Sequence, residues 1–239
     1  MSSDFSGKVV LVAGGTGGLG RAVSLAFLER GAQVAVTWRN EKEFVALKGD
    51  AGETASRLAG FNVDVTDTRQ TVDLANQILS QWSPLDVLVN TVGGYAGGIP
   101  LWNLEPEVLE RMVSLNLLSG YALAKAVVPV LIARKSGAIV NVAAKAAWDH
   151  AAGASAYAAT KAAAVALIDS LAADLLGTGV RVNSILPSII DTAANRAAMP
   201  GADFCKWPKP EDIAKVVLFL SSDDARVIHG ASIPVFGNA

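Results

Sequence analysis

Two sets of residues in this chain of 239 residues have types and spacings that could do chemistry. Tyr157 and Lys161 stand four apart, so on a helix they share one face. A free phenol titrates near ~10, and an adjacent ammonium favours the phenolate and lowers that value. Such a pair could pass a proton near neutral pH while a hydride reaches the same substrate. The second set is Val9-Val-Leu-Val-Ala-Gly14-Gly-Thr-Gly-Gly-Leu-Gly20-Arg21, with five glycines between positions 14 and 20. Two registers fit the glycines, Gly15-x-Gly17-x-x-Gly20 and Gly14-x-x-x-Gly18-x-Gly20; the second begins directly at the end of the apolar run. Bare backbone N–H groups at a helix start suit a phosphate, and a Cβ there would block both the tight turn and the approach of a pyrophosphate.

These residues need a scaffold, and the chain spells one. Val9 to Ala13 is apolar and β-branched enough for a buried strand, and the segment after Gly20 has helical period up to Gly31. Further strands are expected at Gln33–Trp38, Phe61–Val65, Asp86–Asn90, Ala138–Val142, Val180–Leu186 and Ser232–Phe236. Helices are expected at Asp67–Trp82 (capped by Asp67 or Thr66), Pro106–Ala133, Ser155–Leu176 and Pro210–Leu220. Alternation of this kind predicts a single α/β domain over residues 1–239: a doubly wound, Rossmann-type parallel sheet of about seven strands with helices on both faces. Such sheets bind ligands beyond the carboxyl ends of their strands. The segments to inspect are therefore Gly14–Leu19, Trp38–Asn40, Asp64-Val65, Asn90–Gly98, Ala143–Ser155 and Pro187–Lys209. The last is too long for a simple connection, and residues 188–209 read as a substrate lid.

The cofactor reading follows from the same map. Gly14, Thr16, Gly17, Gly18, Leu19 and Gly20 form the phosphate turn. After the second strand an acid would accept a hydrogen bond from a ribose 2′-hydroxyl, whereas an arginine suits a 2′-phosphate. The chain has Trp38-Arg39-Asn40 there and no acid before Glu41, so NADPH is expected over NADH, with Arg39 as discriminator. Asp64 and Val65 are placed to meet adenine, and Asn90, Thr91 and Gly93 to line the adjoining ribose.

With these pieces in place the chain resembles the short-chain dehydrogenase/reductase family over essentially its whole length. Matching pieces are Gly14-x-x-x-Gly18-Leu19-Gly20, Asp64-Val65, Asn90, Asn116, Tyr157-x-x-x-Lys161, Arg181-Val182-Asn183 and Pro187 through Thr192. The resemblance implies that Tyr157 is the proton donor and that Lys161 holds the nicotinamide ribose and tunes the phenol. It implies further that Asn116 holds a relay water, that Pro187 belongs to the cofactor loop, and that Ile190 and Thr192 contact the carboxamide. It also implies a homodimer or homotetramer, through the apolar faces of 106–133 and 155–176. One position departs. The family's usual serine, thirteen residues before the tyrosine, is Ala144 here, so a carbonyl substrate would lose a hydrogen bond. Loss of such a donor costs about 10²–10³ in rate.

The quinonoid dihydropteridine reductase branch also has alanine there. The chain is similar to that branch in Val92-Gly-Gly-Tyr95-Ala-Gly-Gly98, in Ala144-Lys-Ala-Ala-Trp148, and in Asp191 through Trp207. An electron-deficient quinonoid acceptor needs less polarisation than a ketone. Familiar members of the branch carry an acid after the second strand and prefer NADH, unlike Trp38-Arg39. Tyr95, Trp148 and Trp207 could stack on a flat substrate or pack beneath a lid, with Ala144 in the pocket wall. The open alternatives are an oxidoreductase of carbonyls or alcohols and a dinucleotide sensor with weak catalysis.

Composition narrows the rest. A net charge of −2 without a basic stripe gives no support for nucleic-acid or membrane-surface binding. No signal peptide or uninterrupted bilayer-length apolar run is read. The single cysteine, Cys205, excludes an internal disulfide, and no His/Asp/Glu cluster has metal-ligand spacing. The expectation is a cytoplasmic enzyme of a small molecule. Trp82 and Trp102 read as packing residues, His150 as a loop residue and His229 as structural.

Overall fold

The computed structural model describes residues 4–238. Seven parallel strands form one sheet in the order β3-β2-β1-β4-β5-β6-β7. Strand β1 (Val9–Ala13) leads through the glycine turn into helix α1 (Gly18–Glu29) and then β2 (Gln33–Trp38). Helix α2 (Glu41–Asp50) precedes β3 (Leu58–Asn62), and α3 (Thr68–Gln81) precedes β4 (Leu85–Asn90). Helices α4 (Pro106–Val113) and α5 (Ser119–Arg134) are joined by one π-helical turn, Ser114–Leu118. After β5 (Gly137–Val142) come α6 (Ser155–Asp174), β6 (Val180–Pro187), α7 (Ala193–Ala198), α8 (Pro210–Ser221) and β7 (Ser232–Val235).

The period of two along β1 explains both hydrophobic layers. Val10 and Val12 pack with Val23 and Phe27 of α1 and with Ile213 and Val217 of α8 on one face. Val9, Leu11 and Ala13 pack with Ile78 of α3, Leu123 and Val127 of α5 and Ile168 of α6 on the other. With both faces covered, every residue of β1 is buried, so its sequence is a continuous apolar run. Strand order reverses at β1, which pairs with β2 on one side and β4 on the other. The crevice beyond the ends of β1 and β4 is therefore where a doubly wound sheet offers a ligand site.

Two elements correct the sequence reading. Helix α2 was not expected, and β3 lies three residues earlier than Phe61–Val65. Both differences have one cause. The ring of Phe44, on α2, rests on Gly60 so closely that a Cβ there would overlap it, and it stacks on Trp38 with centroids 5.9 Å apart. The glycine that breaks the strand pattern is the space that seats the helix. The register of β3 is set by its pairing with β2, Val34 to Leu58 through Trp38 to Asn62. Asp64 and Val65 then follow the strand end. Asp67 caps α3, its side chain accepting from the N–H groups of Arg69 and Gln70.

Residues 106–134 and 155–174 are long and apolar enough to cross a membrane by length and composition, where no such run was expected. In this fold Leu123, Val127, Leu131, Ile168 and Ala172 on these segments are buried against the sheet.

Candidate active site

The glycine turn is shaped by backbone approach. Gly14 has φ +73°, its N–H donates to Thr37 Oγ1 at 2.8 Å, and its carbonyl accepts from Gly17 N–H at 3.0 Å. A Cβ at Gly20 would overlap the Gly14 carbonyl, so α1 could not start this close to the strand with any other residue. No side chain caps α1. Gly17 N–H is taken by the Gly14 carbonyl, so the first free donor is the N–H of exposed Gly18, the first residue of α1, where an anion would satisfy the helix start. Thr192 lies directly above: a Cβ at Gly18 would stand 2.8 Å from its Cγ2. Leu19 turns inward and is buried.

Beside the turn is a cleft of about 250 Å³ lined by Gly14, Thr16, Gly17, Arg39, Asp64, Val65, Thr91 and Gly93 among others. The fold thus gathers eight of the expected cofactor residues from the ends of four strands. Arg39 is exposed at its rim. The Asp64 carboxylate accepts from Thr66 N–H at 3.0 Å and Thr66 Oγ1 at 2.8 Å. Those bonds, with a smaller contribution from Arg39, hold its carboxyl below the usual range. Thr91 Oγ1 donates to the Ala13 carbonyl at 2.7 Å, tying β4 to the turn. Asn90 is placed differently from a ligand-lining side chain. It is buried, donating to Asn141 Oδ1 at 3.1 Å and accepting from Val92 N–H, so it clamps the ends of β4 and β5 beneath the cleft.

The sequence reading passed over two cleft residues. Thr37, inside β2, holds the turn through Gly14. Glu43 accepts from Thr16 Oγ1 at 3.2 Å and from Asn40 Nδ2 at 3.4 Å. Asn40-x-x-Glu43 has the spacing of a helix N-terminal capping box, which was the available signal for both α2 and this carboxylate.

On α6, Tyr157 and Lys161 do share a face toward the crevice. A Cβ at Gly93 would lie 2.9 Å from Lys161 Nζ and 3.0 Å from Asn116 Oδ1, which places the ammonium, the asparagine and the cleft-lining Gly93 together. Lys161 is buried, and its Nζ donates to the Val142 carbonyl at 3.1 Å. The expected acidic phenol is not what the structure shows. Burial, with Tyr95 nearby, pushes Tyr157 up to about 12, and burial pulls Lys161 down to about 8. Desolvation is the largest cause of both shifts. Tyr157 is thus held as a neutral acid, the form that donates a proton.

Asn116, in the π turn, accepts from Gly94 N–H at 2.9 Å and donates to the Gly94 carbonyl and to Thr160 Oγ1, both at 3.1 Å. Its side chain is therefore engaged in pinning the 93–98 loop to α6. Thr160, inside the Tyr-x-x-x-Lys spacing, completes that clamp and was not singled out from the sequence. Ala144 is buried in an extended conformation just after β5.

The aromatic residues divide. Tyr95 lies edge-on to Tyr157, centroids 5.0 Å apart and rings at 74°, and Trp148 is half exposed. Trp207 is buried, 5.0 Å from Phe204. Of the two readings left open for Trp207, this burial favours packing within the 188–209 segment over stacking on a substrate. Pro187 is buried at the end of β6, where it pairs with Val235. The Ile190 carbonyl accepts from Thr192 N–H and Asn195 Nδ2, both at 2.8 Å. Thr192 caps α7 through its hydroxyl. The segment is tied at its base by Asp191 N–H to the Pro208 carbonyl, at 3.0 Å.

Comparison with known proteins agrees with this geometry. Residues 8–202 match the family model described as short chain dehydrogenase, and the chain belongs to that family. It is 28% identical to the 3-oxoacyl-(acyl-carrier-protein) reductase FabG of Thermotoga maritima, covering 97% of each chain. It is 32% identical to the D-threitol dehydrogenase of Mycolicibacterium smegmatis, covering 99% of this chain and 96% of that one. Among solved structures it superposes on ElxO with NADP bound at a TM-score of 0.90, with 25% identity and 96% and 97% of the two chains covered. The chain is an NAD(P)-dependent oxidoreductase of this family.

Proposed function

We propose that this enzyme is an NADPH-dependent reductase of a flat, activated acceptor of the quinonoid dihydropterin type. The observation that carries the reading is a half-buried Tyr157 phenol whose desolvation holds it neutral, in a pocket whose wall has Ala144 in place of a hydroxyl. Such a site can protonate an acceptor but polarises it weakly, which suits a substrate already poor in electrons. The residues fit a pyridine dinucleotide: an uncapped helix start, a glycine cradle that a Cβ would fill, and Arg39 beside a narrow cleft. When bound, that cofactor supplies the hydride. Gly14, Thr16, Gly17, Gly18, Leu19 and Gly20 would hold its pyrophosphate, and Arg39 its 2′-phosphate. Asp64, Val65, Thr91 and Gly93 would frame the adenosine, with Asn90 holding the ends of β4 and β5 beneath them. Lys161 would bind the nicotinamide ribose, and Pro187, Ile190 and Thr192 would flank the carboxamide.

Tyr157 delivers its proton to the acceptor atom that gains electron density. Lys161 stabilises the phenolate left behind, and Asn116 keeps the 93–98 loop against α6 beside the phenol. Residues 188–209 act as the substrate cover, with Trp207 bracing it and Tyr95 and Trp148 facing the substrate. The exposed Leu109, Leu118, Tyr121 and Ile132 on the α4–α5 face support a homodimer or homotetramer of a cytoplasmic enzyme.

A second reading is favoured by the relatives, which are named a 3-oxoacyl-(acyl-carrier-protein) reductase and a D-threitol dehydrogenase: an oxidoreductase of carbonyls or alcohols. NADPH oxidation is to be measured with a quinonoid dihydropterin generated in the assay and with a panel of ketones and 3-oxoacyl thioesters. Turnover of the quinonoid at least tenfold above every carbonyl supports the first reading. Efficient carbonyl reduction without quinonoid turnover establishes the second.

A further inference from the structure

The missing hydroxyl at Ala144 raises the question of what else could hydrogen-bond the acceptor atom beside Tyr157. The Ser155 hydroxyl, at the first turn of α6, is enclosed and without a partner, so it presents nothing to a substrate. Tyr95 is different in each respect. It is 68% exposed, its ring lies 5.0 Å from that of Tyr157, and among the described residues its hydroxyl has no hydrogen-bond partner. Its loop is closely packed at both ends. Gly93 lies against Lys161 Nζ and Asn116 Oδ1, and a Cβ at Gly94 would meet Leu115 Cδ1 at 2.9 Å. Asn116 then grips Gly94 by both its N–H and its carbonyl. At the far end a Cβ at Gly97 would overlap the Tyr95 hydroxyl, so glycine there leaves room for the phenol to lie down over its own loop. Three glycines and one asparagine thus fix an exposed phenol edge-on to the proton donor.

We propose that Tyr95 is a further catalytic residue, whose hydroxyl donates to the same acceptor atom that Tyr157 protonates and takes the part that the residue at 144 does not supply. This rests on the reductase reading above. In the balanced step, a hydride and its electron pair pass from the reduced dinucleotide, which is oxidised, to the acceptor, which is reduced. The O–H bond of Tyr157 breaks and its proton joins the acceptor atom. Solvent later restores that proton. Tyr95 keeps its own proton throughout and only stabilises charge that grows on the acceptor. Removing one such donor costs ~10²–10³ in rate where it acts alone, and about tenfold is the least expected with Tyr157 beside it.

The test compares wild type, Tyr95→Phe, Ala144→Ser and the double variant on whichever acceptor the wild type reduces best, with NADPH binding followed by its fluorescence. Tyr95→Phe keeps the ring, so stacking survives and only the donor is lost. The expected result is a fall in kcat of at least tenfold for Tyr95→Phe, with NADPH affinity and the unfolding midpoint unchanged. Ala144→Ser is expected to raise kcat at least tenfold more in the Tyr95→Phe background than in the wild type. Wild-type kcat in Tyr95→Phe overturns the proposal, as does equal gain from Ala144→Ser in both backgrounds. Failure of the reductase reading is separate: it shows in the wild type's choice of acceptor, before any Tyr95 variant is compared.

Discussion

The two ionisable groups at the centre of the site have been moved in opposite directions by the same force. Taking Lys161 out of water favours its neutral form, so its folded value near 8 lies below its ordinary 10.5. Between those values the unfolded chain binds more protons, and stability due to this residue rises with pH. Below about 8 the full penalty of burying the ammonium is present. Lys161→Met is therefore expected to raise the unfolding midpoint at pH 7 relative to wild type, with the advantage shrinking towards pH 10.5 in thermal melts. A constant difference across that range would show that the ammonium is not held against its solvation. Activity moves the other way: Lys161→Met should lower kcat/KM by ~10²–10⁴, the range of a lost proton-transfer partner. Arg39 is predicted to act on affinity alone. Two charge-assisted hydrogen bonds to a 2′-phosphate are worth ~1.5–3 kcal/mol each. Arg39→Ala should weaken NADPH binding at least tenfold and leave NADH binding within twofold, as read by titration. Equal loss for both would assign Arg39 to the rim without a role in selection.

At the level of elements, the parts legible in the sequence were those where one residue type has one physical use. The turn from Gly14 to Gly20, β1 and the Tyr157–Lys161 face were readable because close backbone approach, burial on both faces and helical spacing each leave a distinct pattern. Helix α2 was not readable from periodicity, since Leu47 is its one fully buried side chain, and Gly60 hid β3 because its purpose is to receive Phe44 from that helix. The acidity of Tyr157 was misjudged because charge proximity is visible in a sequence and desolvation is not. Trp207 was ambiguous for the same reason, its burial depending on a segment with little regular structure. The 93–98 loop gives the clearest test of packing at this scale. Gly93→Ala would place a methyl 2.9 Å from Lys161 Nζ and 3.0 Å from Asn116 Oδ1. Overpacking of this kind costs ~1–3 kcal/mol. A lower unfolding midpoint and a loss of kcat together are expected, whereas Gly49→Ala, near the end of α2 where a Cβ meets nothing within 4 Å, should leave kcat unchanged and the midpoint equal or slightly higher.

For the whole molecule, the reversal of strand order at β1 brings the glycine turn, the Arg39 cleft and the α6 face to one edge of one sheet. The apolar α4–α5 face lies elsewhere and is free to join a second copy. Tyr121→Arg, at a position 44% exposed, is expected to shift a dimer or tetramer towards monomer in sedimentation, leaving NADPH affinity intact. A wild type that sediments as a monomer would remove the assembly from the account. The central claim is that Tyr157 gives its proton to an acceptor reduced in the crevice between β1 and β4. It is tested most directly by single-turnover oxidation of bound NADPH in wild type and Tyr157→Phe. The account predicts unchanged NADPH affinity and a rate of hydride transfer lowered by ~10²–10⁴ in the variant. A wild-type rate in Tyr157→Phe would contradict it.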